Sequence, residues 1–254
     1  MAVVHHATRE ERLAAALVEA ADTLSESFDT GEYLRRLSDR CVELLSAWAA
    51  GVMLIDGDDI VSLAGSGLGG REAMALELLA AQRNGGPCKE SYGSGRTVAP
   101  VAISVAHADG RWPEFTEQAL RHGVVATFAV PVRRRDALLG ALNVFVPTLP
   151  NSASDGGSSE VSVARALADA AALGLWNQRA HAQYRSLAGQ LQNALSSRVR
   201  IEQAKGMLAE RWQVGVDEAF GALRGYARRH RLPMERVARA VIERDLGDAE
   251  LREP

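Results

Sequence analysis

Lysine is nearly missing from this sequence: of 29 basic residues 27 are arginine, and only Lys89 and Lys205 are lysine. Beside abundant alanine, that skew is the signature of a GC-rich genome rather than of a function. Cysteine is equally scarce. Cys41 and Cys88 make neither a disulfide framework nor a zinc site of familiar spacing. No uninterrupted apolar run reaches the roughly 18 residues that a membrane-spanning helix needs. The opening stretch MAVVHHATREERLAAALVEAADTL carries acids and arginines throughout, which excludes a secretory signal. A nucleophile–base set, a glycine-rich phosphate loop and metal-ligand spacings are also missing, so neither an enzyme nor a metal site is expected. What is there is a chain of 254 residues, 47% hydrophobic and with a net charge of −3. That is enough for one or two packed domains, expected to be soluble, cytoplasmic and free of membrane contact.

The charge is unevenly spread. From Arg198 to Arg244 there are 11 Lys/Arg against 6 Asp/Glu, a surplus of +5 that leaves about −8 on the rest. A basic module on an acidic chain suggests a polyanionic partner. A surplus of this size equally suits arginines that merely solvate a small bundle. Periodicity gives this segment three helices. Ile201, Ala204, Leu208 and Trp212 share one face of the first. Val216, Ala219, Phe220, Leu223, Ala227 and His230 share one face of the second, with Asp217 and Glu218 in its first turn, where the helix dipole favours acids. Pro233 opens the third, which buries Met234, Val237, Ala238, Val241 and Ile242. Arg198 and Lys205, two turns apart, flank the apolar stripe, and Arg224, Arg228 and Arg231 form a row along the second helix. With Trp212 and Phe220 on core faces, Tyr226 is left as the platform for base stacking.

The runs IEQAKGMLAER and DEAFGALRGYARRHRLPMERVA resemble an ANTAR domain, an RNA-binding transcription antitermination module. The matching positions are Ala204, Lys205 and Gly206 in the first helix and Ala219, Leu223, Arg224 and Ala227 in the second. The resemblance covers about 50 residues, placed at 198–246. It implies a three-helix bundle that works as a homodimer and binds hairpin RNA in a nascent leader, so that a terminator does not form. It carries RNA contact onto Arg198, Lys205, Arg224 and Arg228, with Ala204 and Gly206 letting a backbone approach, while Ala219, Leu223 and Ala227 read as core. Hairpin recognition of this kind reads unpaired loop bases while basic side chains hold phosphates. The alternative is a DNA-binding helix-turn-helix regulator, whose turn would lie at Gly215; the basic row, however, follows a helix flank rather than the start of a recognition helix.

The rest of the chain reads as an α+β domain. An N-terminal helix lies within residues 1–30, from Arg9 to Phe28, with Leu13, Leu17, Ala20, Ala21 and Leu24 on one face. A second helix runs from Glu32 to Ser46. A hairpin (GVMLID, IVSLAGSG), a helix over Arg71–Arg83, a turn at Gly86-Pro87-Cys88, a strand TVAPVAISV, a helix RWPEFTEQALRHG and a buried hairpin (ATFAVPVRRR, ALLGALNVFV) follow, then a turn-rich connection. This order, and the stretches GGPCKESYGSGRTVAPVAI and AVPVRRRDALLGALNVF, resemble a GAF domain, spanning 31–178. That implies a central antiparallel sheet with helices and a sensor for a small-molecule ligand whose identity, like any cofactor, is unknown. A phosphoacceptor receiver, the other common companion of ANTAR modules, would need a lysine at a late strand end, and neither Lys89 nor Lys205 qualifies. Among sensing candidates Cys41 lies on an apolar face as a core thiol, Cys88 beside Lys89 in its turn is a candidate for a lowered pKa, and His107 and His122 are candidate haem ligands. From Ser159 to Trp212 the chain reads as nearly continuous helix, with a connecting coiled coil over 159–197. Ala164, Ala168, Ala171, Leu175, Gln178 and Ala182 form one seam, suited to a helical partner or to the sheet. Leu187, Leu191, Ala194, Arg198, Ile201, Lys205 and Leu208 form a second.

Overall fold

The computed structural model describes residues 8–25, 27–149 and 155–252. Residues 1–7 of the N-terminal segment and residues 150–154 of the turn-rich connection after Val146 lie outside the described residues; the connection's last residues, read as turn up to Ser159, already belong to a helix that starts at Asp155. The chain forms two compact units, Met1–His181 and Ala182–Pro254.

In the first unit α1 (Arg9–Ala21) and α2 (Thr30–Leu45) precede a hairpin of β1 (Ala49–Asp56) and β2 (Asp59–Gly67). Then come α3 (Glu72–Ala80), α4 (Pro87–Ser94), β3 (Val98–Ala102), α5 (Ile103–Ala108) and α6 (Pro113–Arg121). A second hairpin, β4 (Ala126–Arg134) and β5 (Ala137–Val146), leads into the long α7 (Asp155–Trp212). The five strands pair antiparallel in the order β2-β1-β5-β4-β3. This is the central antiparallel sheet expected. Strand alternation divides its side chains between two cores. Ala50, Val52, Leu54, Phe128, Val130, Leu142 and Val144 pack against α1, α2 and the first part of α7. Ala49, Ala129 and Phe145 point the other way, onto Ala75, Leu78, Ile103 and Phe115, with Met53, Ala141, Leu79 and Cys88 alongside.

The alanine seam of α7 is buried. Ala164, Leu167, Ala168, Ala171, Ala172 and Leu175 belong to the core on the α1/α2 side. Small side chains let the helix come close, and Gly174 marks the closest approach: a Cβ there would collide with the Ala20 carbonyl and the Thr23 methyl. Thr23 donates its hydroxyl to the Gly174 carbonyl at 2.7 Å, and Tyr33 donates its own to the Ala20 carbonyl at 2.6 Å. These bonds also explain why α1 ends at Ala21 rather than at Phe28. Thr23, 2% exposed, is drawn into the junction, and Leu24 beyond it is 60% exposed rather than on a buried face.

Two further expectations are corrected. The turn at Gly86-Pro87-Cys88 is the start of a helix, α4, with Pro87 in its first turn and Gly95 closing it in the left-handed conformation (φ 64°). Gly93 and Gly95 had hidden the helical pattern. The strand read through Val105 stops at Ala102, and α5 turns Ile103 and Ala106 into the core.

In the second unit the last turns of α7 meet α8 (Val216–Arg229), α9 (Met234–Glu243) and a fourth, unforeseen helix, α10 (Asp248–Arg252). Ala204 and Leu208 of α7, Ala219, Leu223 and Ala227 of α8, and Val237, Ala238 and Val241 of α9 form its core, closed by Leu246 and Leu251. Surface ion pairs Arg200–Glu235 and Arg211–Asp248, the latter at 2.9 Å, link α7 to α9 and α10. No helix among the described residues is long and apolar enough to cross a membrane.

Candidate nucleic-acid interface

The core of the second unit decides which of its polar residues face water. Ala204, one residue before Lys205, is fully buried with Leu208, and that fixes Lys205 at the edge of the bundle. The Lys205 ammonium lies 2.6 Å from the Glu202 carboxylate and 5.9 Å from the centre of the Phe220 ring. Only 20% of its side chain is exposed. Phe220 is not the core residue that periodicity suggested. It sits at the margin of the stripe with 36% of its surface exposed, where an aromatic face beside a cation is both cation–π partner and stacking platform.

Arg224 follows Phe220 by one helical turn and Arg228 follows by two, so they continue the same side of α8. Both are exposed, as is Arg198 on α7. Among the described residues none of these three makes an ion pair, whereas Arg200 and Arg211 are taken by Glu235 and Asp248. Arg231, the last of the expected row, lies beyond the end of α8 with a left-handed backbone (φ 52°). Gly206 is exposed and open space surrounds the place of its absent side chain. Ala204, by contrast, has no surface to offer; its small size serves helix packing, which corrects its assignment to close approach of an RNA backbone. Tyr226 is likewise unsuited as a platform, because it packs against the core and stacks on His230 at 4.0 Å. Trp212 is partly buried, with the Arg252 guanidinium 4.4 Å above its ring. Phe220 was missed because the apolar stripe of α8 is wider in sequence than the groove that receives it. Its three-residue separation from Leu223, about 60° off the centre of the stripe, was the available signal.

The sensing candidates of the first unit fare differently. Burial pushes the Cys41 thiol up to about 12 and the Cys88 thiol higher still, against a bond from Gln82. Cys88 is wholly enclosed on α4, the opposite of the low-pKa thiol expected of an exposed turn. His107 meets the Thr116 hydroxyl at 3.2 Å and His122 meets Glu77 at 2.8 Å. Among the described residues no group of metal-ligating side chains is present. One buried polar pair stands out on the central strands: Thr127 donates to the Asn143 side-chain oxygen at 2.7 Å, while the Asn143 amide nitrogen has no hydrogen-bond partner among the described residues.

Residues 189–242 match the family model of the ANTAR domain; this stretch of the chain is an ANTAR domain. The match begins within α7, ahead of the segment 198–246 read from the motifs. The chain is also similar to solved structures of the sheet-containing kind. One is the GAF domain of the cyanobacteriochrome TePixJ, with 22% identity, TM-score 0.46, and 62% of this chain and 99% of that one covered. Another is the free methionine-R-sulfoxide reductase of Neisseria meningitidis, with 17% identity, TM-score 0.45, and 70% and 99% covered. A third is the phycocyanobilin-bound GAF domain of a cyanobacterial phytochrome, with 12% identity, TM-score 0.48, and 69% and 98% covered. No curated protein matches the sequence.

Proposed function

We propose that the protein is a transcription antitermination regulator that binds hairpin RNA through its C-terminal unit, under the control of a GAF-type sensor in its N-terminal unit. The observation that carries this reading is the exposed cationic face of the ANTAR domain: Arg198, Arg224 and Arg228 grouped with Lys205 and Phe220. Arginines at this spacing suit phosphates, and Phe220 suits an unstacked loop base. Gly206 leaves room on α7 for a nucleotide to come near the helix. Lys205 joins the phosphate contacts by exchanging Glu202 for RNA, a swap of one surface ion pair for another.

The helix-turn-helix alternative is less well supported. The first turn of α8 presents Asp217 and Glu218 and that of α9 presents Glu235, so either helix would meet DNA phosphates with acids.

The working form is a homodimer paired through α7. Tyr184, Leu187, Leu191, Leu195 and Val199 recur along one side of α7 and are each 53–73% exposed. Five large apolar side chains so placed favour a helical partner of the same kind. The N-terminal unit, by its strand order and its sequence resemblance, is read as a sensor of a small molecule, for which the unpartnered Asn143 amide is the polar contact inside the fold. Ligand binding there would act on the cationic faces through the continuous α7. The role is regulatory rather than catalytic.

The test is hairpin binding by Lys205→Ala and by Arg224→Ala/Arg228→Ala. Each lost phosphate contact is expected to weaken binding and lower the salt slope by about one. Unchanged affinity in the double variant contradicts the interface.

A further inference from the structure

The N-terminal unit is acidic, with 16 Lys/Arg against 22 Asp/Glu over residues 1–181. Four of its arginines nevertheless gather at one place. The β4–β5 hairpin carries Arg133, Arg134 and Arg135 in succession. Beside it runs an exposed side of α7 with Arg165, Asp169, Leu173 and Trp176 at three- and four-residue steps. The Arg134 guanidinium lies 5.1 Å from the Trp176 ring centre, and Trp176 remains 40% exposed. Arg134, Arg135, Asp136, Ala137 and Trp176 line a cleft of about 350 Å³. The same arginines reach Asp169: partial burial raises its carboxyl, while the charges of Arg165 and Arg133 pull it down.

We propose that this cleft is a second RNA site, which takes one nucleotide of a single-stranded segment, its base stacked on the Arg134–Trp176 pair and its phosphates held by Arg133 and Arg135. The cleft has the size of a small-ligand site. An aromatic ring capped by a guanidinium offers any base a flat, sequence-tolerant surface, and flanking arginines track the backbone. A merely solvated hairpin has no use for three consecutive arginines that repel one another, nor for an indole left half in water. Asp169 faces the arginines from α7 and Asp136 lines the cleft from the hairpin; two acids against four arginines weaken the field without cancelling it. The proposal extends the antiterminator reading and rests on the chain meeting a transcript, but it assigns a different unit and a different form of RNA.

The experiment measures fluorescence anisotropy of a labelled single-stranded uridylate 12-mer with the full chain. The background is Arg224→Ala/Arg228→Ala, so that loss of the hairpin interface cannot imitate loss of this site. Trp176→Ala is expected to weaken binding roughly 5- to 150-fold, the range for one stacked base, and Trp176→Phe to restore most of it. Arg133→Ala/Arg135→Ala should reduce the salt slope by about 1.4, or 0.7 per phosphate contact. Asp169→Asn should tighten binding. Should Trp176→Ala fail to fold by thermal melt, Arg134→Gln makes the same test on the guanidinium. Competition by uridine monophosphate at low concentration would overturn the RNA assignment in favour of a free-nucleotide site. Equal binding of a polyglutamate peptide, or a 12-mer affinity indifferent to Trp176 and Arg134, would overturn the site as one for nucleic acid.

Discussion

The two halves of α7 invert the usual relation between side-chain size and burial. Before His181 the inward seam is mostly alanine and is enclosed, with Ala164, Ala168, Ala171 and Ala172 entirely without exposed surface. After it the seam is leucine, and Leu187, Leu191 and Leu195 are more than half exposed. The difference lies in what each half packs on. A sheet flanked by α1 and α2 leaves a shallow space that mostly small residues fill at native density, with Leu167 and Leu175 between them. Further along, nothing among the described residues covers the leucines, and each exposed side chain retains the roughly 1.5–3 kcal/mol that burial would release. The first half is therefore covered within its own unit, and the second leaves an apolar side open, the side on which the proposed pairing rests.

That contrast can be broken at its tightest point. Gly174→Ala places a methyl against the backbone of α1, with no flexible side chain to yield, and is expected to destabilise the N-terminal unit by about 1–3 kcal/mol; calorimetry of the full chain reads it. Leu191→Asp is expected to leave that unit's melting unchanged while the mass in sedimentation equilibrium falls from twice 27.2 kDa to 27.2 kDa. A wild-type profile would remove the pairing. Gly189→Ala, on the open half where a Cβ meets nothing within 4 Å, should instead stabilise α7 by about 0.5–1 kcal/mol. The smallest effect is expected at the thiols. Cys41 and Cys88 should resist a thiol reagent at pH 8 in the native protein and react only in denaturant, because burial raises both far above that pH.

Much of this was legible in the sequence, and the exceptions have physical causes. The antiparallel sheet and the faces of α2 and α9 followed from periods of two and 3.6, because those elements bury one continuous side. Helix α4 was hidden because its short length, Gly93 within it and Gly95 at its cap suppress periodicity, and its burial depends on the sheet behind it. The α1 boundary was set by Thr23 and Tyr33 bonding across 151 and 13 residues of chain, which no local window contains. At the cationic face Arg198, Arg224 and Arg228 were readable from spacing alone. The burial of Ala204, the margin position of Phe220 and the pairing of Lys205 with Glu202 depend on how wide a groove the three helices leave between them. Helix α10 was missed because five residues are too few to show a period; its Leu246 and Leu251 anchors were the visible clue.

The central claim, a folded transcript gripped by the ANTAR face, is tested most directly by titrating labelled hairpin RNA and a DNA duplex of the same stem sequence with wild-type protein and with Arg224→Ala/Arg228→Ala. The account predicts that hairpin RNA binds the wild type well ahead of the duplex, and that the double variant loses this preference together with about two units of salt slope. Equal binding of duplex DNA, or a hairpin affinity unmoved by the loss of both arginines, would contradict it.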